Sequence, residues 1–181
     1  LHLIHTLSLH DALPISHFLN EIPLENNIEL TNSIQKLLNN LNIQAINEKT
    51  ITLLVKSLFS NNLLPKFSDT LINSSIETSL IDILNLYMCF EKSINATKLK
   101  NFSIKLSLWI NNFIPDLLKD FHIPKQLDLD IINPKVLYIG TIKKHEVLFL
   151  IFLSKIGCDV LYLNPQTEGD FSIVDPKCMY S

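Results

Sequence analysis

The sequence predicts a mixed α/β chain in which a helical region comes first and a single strand–helix–strand unit comes second. Three observations predict it. Apolar residues recur at steps of three and four from about residue 28 to 121. Beyond residue 126 the pattern changes to two short apolar runs flanking one long run. Each of the two short runs stops at a Gly or an Asn-Pro pair, as strands of a parallel unit do.

The first stretch, "LHLIHTLSLHDALPIS", differs in character from the rest of the chain. Four of the six histidines fall at positions 2, 5, 10 and 17, whereas lysine and asparagine, frequent later, are absent until Asn20. His2, His5 and His10 are spaced by three and five with Pro14 close behind, which places them on no common helical or strand face, so a metal cluster is disfavoured. A secretory signal is disfavoured too, because the stretch lacks a basic leading region and a continuous apolar centre. The words "HTLSLHDALPIS" resemble the translated remnant of a sequencing-library adapter. Residues 1–17 are therefore expected to be a scar outside the fold, with the adapter itself ending near residue 16.

Helical stripes run in order across residues 18–125. Leu30, Ile34, Leu37 and Leu41 share one face. Ile51, Leu54, Val55 and Leu58 form a second stripe that Asn61 and Asn62 end, and Pro65 restarts the chain after a short turn. "SSIE" offers Ser74 as an N-cap with Glu77 three residues on, opening the stripe Ile76, Leu80, Ile83, Tyr87, Phe90 and Ile94. A fourth stripe runs Leu99, Phe102, Leu106, Trp109 and Phe113, with Pro115 expected to end or kink it and Trp109 expected as a packing anchor. Short connections favour antiparallel neighbours in a compact bundle.

Residues 126–181 carry the unit with site-like organisation. "KVLYI" at Lys135 to Ile139 reads as a strand closed by Gly140. "HEVLFLIFLSKIG" is too long and too continuous for a strand and ends in Gly157, which suits a helix C-cap. "CDVLYLNP" gives a second strand stopped by Asn164 and Pro165. Strand, helix and strand within about 30 residues make a βαβ unit with parallel strands. This is the first unit of a truncated Rossmann-like sheet, since two parallel strands cannot bury both of their faces. More sheet is expected beyond residue 181.

Composition narrows the function classes. The 181 residues are 47% hydrophobic, ample for a packed core, and the net charge of −3 arises from sparse charges of both signs. All 15 basic residues are lysine, so the planar fork that reads guanine and grips phosphate bidentately is missing and nucleic acid is disfavoured as a partner. The longest unbroken apolar run, Val147 to Leu153, is far short of the ~20 residues of a membrane span. Cys89, Cys158 and Cys178 are odd in number and lack C-x-x-C spacing, which fits reduced thiols in a cytoplasmic protein.

Ligands of open α/β sheets sit outside the carboxyl ends of the strands, here "GTIKKHE" and "NPQTEGD". The first also enters a helix N-terminus, where free N–H groups and the dipole attract anions. Lys143 and Lys144 there oppose the dipole by about 0.3–1 kcal/mol each at most, and an adjacent anionic ligand would account for them. Gly140, Thr141, Lys143, Lys144 and Asn164 are the candidate ligand-binding residues. His145 is a candidate for acid–base catalysis, although Glu146 beside it points about 100° away on a helix. Asp128 and Asp130 alternate as solvent-facing positions do. Neither a G-x-G-x-x-G nor a P-loop pattern occurs, and no metal site is expected.

With these words in place, "PKVLYIGTIKKHEVLFLIFLSKIGCDVLYLNP" resembles the YceG-like family over roughly residues 134 to 165. The resemblance implies a component of a biosynthetic module encoded beside tellurium-resistance genes, acting in the stress response with proteins of the same operon on a nucleotide-like or otherwise modified small molecule. It supplies no catalytic residues. Two functions compete: an enzyme or subunit binding a small anionic ligand at residues 140–145 and 164, and a non-catalytic interaction subunit docking through its helices.

Overall fold

The computed structural model describes residues 17–19, 27–41, 43, 45–119, 133–164, 170–177 and 179. Four helices come first: α1 (Ile28–Asn40), α2 (Glu48–Ser60), α3 (Thr70–Phe90) and α4 (Ala96–Leu117). Then β2 (Lys135–Ile139), α5 (Lys144–Lys155) and β3 (Asp159–Leu163) form the expected strand–helix–strand unit, with the short α6 (Phe171–Val174) after it. A preceding strand, β1 (His17–Leu19), joins the same sheet.

Each long helix starts where the chain supplies a side-chain acceptor. Asn27, Asn47 and Asn95 accept the N–H of Leu30, Thr50 and Lys98 at 3.0, 3.0 and 2.9 Å. These bonds satisfy donors that the first turn leaves open. Helix α3 begins one turn earlier than the Ser74 capping box predicts. Asp69 accepts the Leu71 N–H at 2.8 Å, and the Asn73 amide bonds both the N–H and the carbonyl of Phe67. That brace fixes the entry upstream, so Ser74 lies within the helix. Pro115 sits in the last turn of α4, which stops two residues later.

The sheet is parallel throughout, in the order β1-β2-β3. Tyr138 lies opposite Tyr162, and Ile139 opposite Leu163. The mixed α/β class and the parallel pairing of β2 with β3 are as the sequence predicts. Strand β1 is additional: it pairs its three residues with Val136, Leu137 and Tyr138, and it includes His17, the last residue of the histidine-dotted N-terminal stretch.

Helix α5 explains its own continuous apolar run. Val147 through Leu153 are all buried, because the helix is enclosed by the sheet on one side and by α3 and α4 on the other. Phe149 is central, with ring centroids 5.2 Å from Trp109, 6.0 Å from Phe113 and 5.9 Å from Phe152. Each such side chain contributes about 1.5–3 kcal/mol over the exposed state. At the far end of α5, Lys155 pairs with Asp82 of α3 at 2.7 Å. Trp109, 1% exposed, is the packing anchor its stripe predicts.

The inner sheet face, Val136, Tyr138, Val160 and Tyr162, turns toward α5. On the opposite face Leu161 and Leu163 are 49% and 45% exposed. No helix among the described residues is long and apolar enough to cross a membrane.

Candidate functional site

Parallel pairing of β2 and β3 puts both carboxyl ends at one rim. Gly140 closes β2 at φ 128°, a region open to glycine, and donates its N–H to the Leu163 carbonyl at 3.0 Å. The chain then turns over the rim. Thr141 is exposed, Ile142 is buried as an anchor, Lys143 is exposed in extended backbone, and Lys144 begins α5. Asn164, half-buried, comes directly after β3 at the same rim. Gly140, Thr141, Lys143, Lys144 and Asn164 therefore share one edge of the sheet.

Two carboxylates already brace this turn. Glu146 Oε2 accepts the Lys143 N–H at 2.8 Å. The Tyr138 hydroxyl donates across 3.2 Å to the Thr141 carbonyl and lies 3.4 Å from Glu146 Oε2. Asp170, at the entrance of α6, accepts the Lys144 N–H through Oδ2 at 3.0 Å and donates its own N–H to the Ile142 carbonyl at 3.3 Å. An anion thus occupies the α5 N-terminus, as the dipole favours, but it is supplied by the chain itself.

His145 turns from the rim toward the helical layer. Its ring centroid lies 4.6 Å from Phe102 of α4 and 5.5 Å from Tyr87 of α3, the latter contact edge-on at 76°. Burial first, then the Lys105 charge, push the imidazole down to about 4, with Glu91 opposing and Lys144 adding to the depression. The ring is neutral at pH 7 and works as an interlayer wedge. No hydrogen bond among the described residues joins it to Glu146, whose carboxylate faces Lys143 and Tyr138.

Lys105 of α4 completes this neighbourhood. Its ammonium lies 4.5 Å from the centroid of the Trp109 ring, a cation–π contact of about 0.5–2 kcal/mol. Burial lowers its pKa, Glu146 opposes that shift and Lys143 adds to it. Lys105 thus senses Glu146 and Lys143, and His145 senses Lys105 and Lys144, although they come from two parts of the chain.

Asp170 and Lys105 are not recognisable as site residues from the sequence by itself. Asp170 is 26 residues from its partner and carries no local pattern. Lys105 leaves a signal: it comes three residues after Phe102 and four before Trp109, so a charge interrupts a buried stripe. Residues 165–169, Asp128, Asp130, Cys178 and His2, His5 and His10 lie outside the described residues. Among the described residues no group of three or more His, Cys, Asp or Glu could hold a metal ion. Burial, then Asp159, pushes the Cys158 thiol up to about 12, which leaves it inert as a nucleophile at pH 7.

A family model, the YceG domain, matches residues 2–181, a span that includes the stretch resembling an adapter remnant. The uncharacterised protein YceG of Bacillus subtilis (strain 168) is 27% identical over 140 residues, 75% of this chain and 25% of that protein. The chain thus spans about a quarter of the length of the curated relative it matches. No solved structure matches the chain.

Proposed function

The chain belongs to the YceG family, and from that premise we propose that its strand–helix–strand unit binds a small anionic, phosphate-bearing or nucleotide-like ligand at the rim formed by Gly140, Thr141, Lys143, Lys144 and Asn164. The observation that carries this reading is that Gly140, Thr141, Lys143 and Lys144 lead from the end of β2 into α5 while Asn164 follows β3, at the carboxyl ends of two parallel strands. We read the sheet as Rossmann-like, the protein as cytoplasmic, and its setting as a tellurium-resistance and stress-response operon with a biosynthetic module. Residues 1–16 we read as adapter-derived, which the uninterrupted reading frame of the source DNA tests.

A thermal-shift titration with inorganic phosphate, pyrophosphate and nucleotides tests the binding reading. Stabilisation that is lost in Lys143→Ala and Lys144→Ala supports it, and an unchanged Tm with every anion contradicts it. Tellurite sensitivity of a deletion strain, restored by the intact gene, tests the operon reading.

A second reading, a non-catalytic subunit that docks other proteins of the operon, is favoured by Leu161 and Leu163, which leave the outer sheet face apolar and half exposed.

A further inference from the structure

We infer that the outer face of the sheet seats an amphipathic helix of the same polypeptide, drawn from the part of the family protein that lies outside this span. The inference is independent of the anion reading at the rim. It also gives the outer face a different occupant from the docked operon protein of the second reading.

Register builds the face. Leu137 lies opposite Leu161 and Ile139 opposite Leu163, so four aliphatic residues form one block at the carboxyl half of β2 and β3. They alternate with Val136, Tyr138, Val160 and Tyr162, which turn inward. Lys135 and Asp159, opposite one another at the amino end, bound the block with polar residues. Leu161 and Leu163 remain 49% and 45% exposed, whereas parallel sheets are normally covered by helices on both faces.

Topology accounts for the open side. The strand order β1-β2-β3 follows chain order, so both crossovers step in the same direction across the sheet. Right-handed crossovers that step in one direction fall on one face. Helix α5 lies on that face with α3 against it, and α6 packs on α5 and α3 as well. Covering the opposite face takes a further segment, and this chain spans 25% of the curated relative, leaving the greater part of that protein outside the match. The block measures roughly 5 Å across the strands and 7 Å along them, which the apolar stripe of one helix about 10 Å wide covers. A separate molecule is a poorer fit. Four partly exposed aliphatic side chains offer far less than the roughly 800 Å² per partner that a stable interface between separate molecules buries, and a tethered segment is freed from that requirement by its effective concentration.

Hydroxyl-radical footprinting of the product of the uninterrupted reading frame, purified alone and read by mass spectrometry, tests this. Leu53, 55% exposed on α2, serves as the open reference and Leu54, fully buried, as the closed one. The expected result is that Leu161 and Leu163 lose their labelling to the level of Leu54 while Leu53 is oxidised, at every protein concentration. Labelling of Leu161 and Leu163 like that of Leu53 would overturn the inference and leave the face to another protein. Protection that appears only as concentration rises would overturn it in favour of a second copy. A reading frame that ends at residue 181 would overturn it outright. A benzophenone amino acid at position 161 identifies the occupant: the expected crosslink joins it, within one polypeptide, to a segment outside residues 1–181 with apolar residues at steps of three and four. A crosslink to a residue of this span contradicts the inference, and if that variant fails to fold, the footprint of the unaltered protein decides.

Discussion

The carboxylate of Asp170 accepts the backbone N–H of Lys144 at 3.0 Å, tying the start of α6 to the start of α5 across 26 residues of sequence. This is a charge-assisted bond at a helix N-terminus, where the dipole strengthens it. Asp170→Ala should therefore cost about 1–2 kcal/mol of stability. Urea denaturation checks this, and a loss below about 0.3 kcal/mol would show that the contact contributes little.

His145 should make stability depend on pH. Its folded pKa, about 4, lies below the ordinary 6.5, so the unfolded chain takes up the proton more readily. Its contribution is full above about pH 6.5, falls as pH drops through the window from 6.5 to 4, and levels off below 4. His145→Phe keeps a ring against Tyr87 and Phe102 but cannot titrate. In this variant the stability slope between pH 6.5 and 4, measured by urea denaturation at a series of pH values, should be shallower than in the unaltered chain. Identical slopes would assign the pH dependence to other groups.

Phe149 joins the two halves of the molecule. It is fully buried and meets Trp109, Phe113 and Phe152. Phe149→Ala should cost about 3–5 kcal/mol, by lost transfer energy and by the cavity left between α4 and α5. Chemical denaturation measures it, and a cost under about 1 kcal/mol would mean that the seam collapses around the gap.

Gly140 holds φ 128° while its N–H reaches the Leu163 carbonyl. A Cβ strains that backbone, so Gly140→Val should destabilise by roughly 1–3 kcal/mol and disturb the bend that carries Thr141 and Lys143. Faster hydrogen exchange of the amide at position 140 is the accompanying signature. A variant as stable as the parent, with the amide still protected, would contradict this account of the turn.

Much of this architecture is legible in local patterns. The stripes over residues 28–121 correspond to α1 to α4, Asn61 and Gly157 end helices where their chemistry predicts, and Lys135 to Leu163 fold as parallel strands around a helix. Each of these rests on short-range chemistry: periodicity, turn residues and strand length. Long-range pairings leave weaker traces. Strand β1 offers three residues whose partners lie more than a hundred positions away, and Asp170 gains its role from tertiary placement alone. The start of α3 differs from its sequence-based expectation because two caps compete, and the Asn73 brace to Phe67 favours Asp69 over Ser74. At the rim the lysine-bearing bend is legible, while Lys105 of α4 shows in the sequence only as a charge that interrupts an apolar stripe.

The claim that most needs testing is that the bend from Gly140 to Glu146 receives an anion. Backbone amide NMR of the isotope-labelled chain titrated with inorganic phosphate measures it directly. The account predicts saturable shifts concentrated at Gly140, Thr141, Lys143, Lys144 and Asn164. Shifts absent at these amides, or spread evenly over surface lysines such as Lys49 and Lys100, would contradict it.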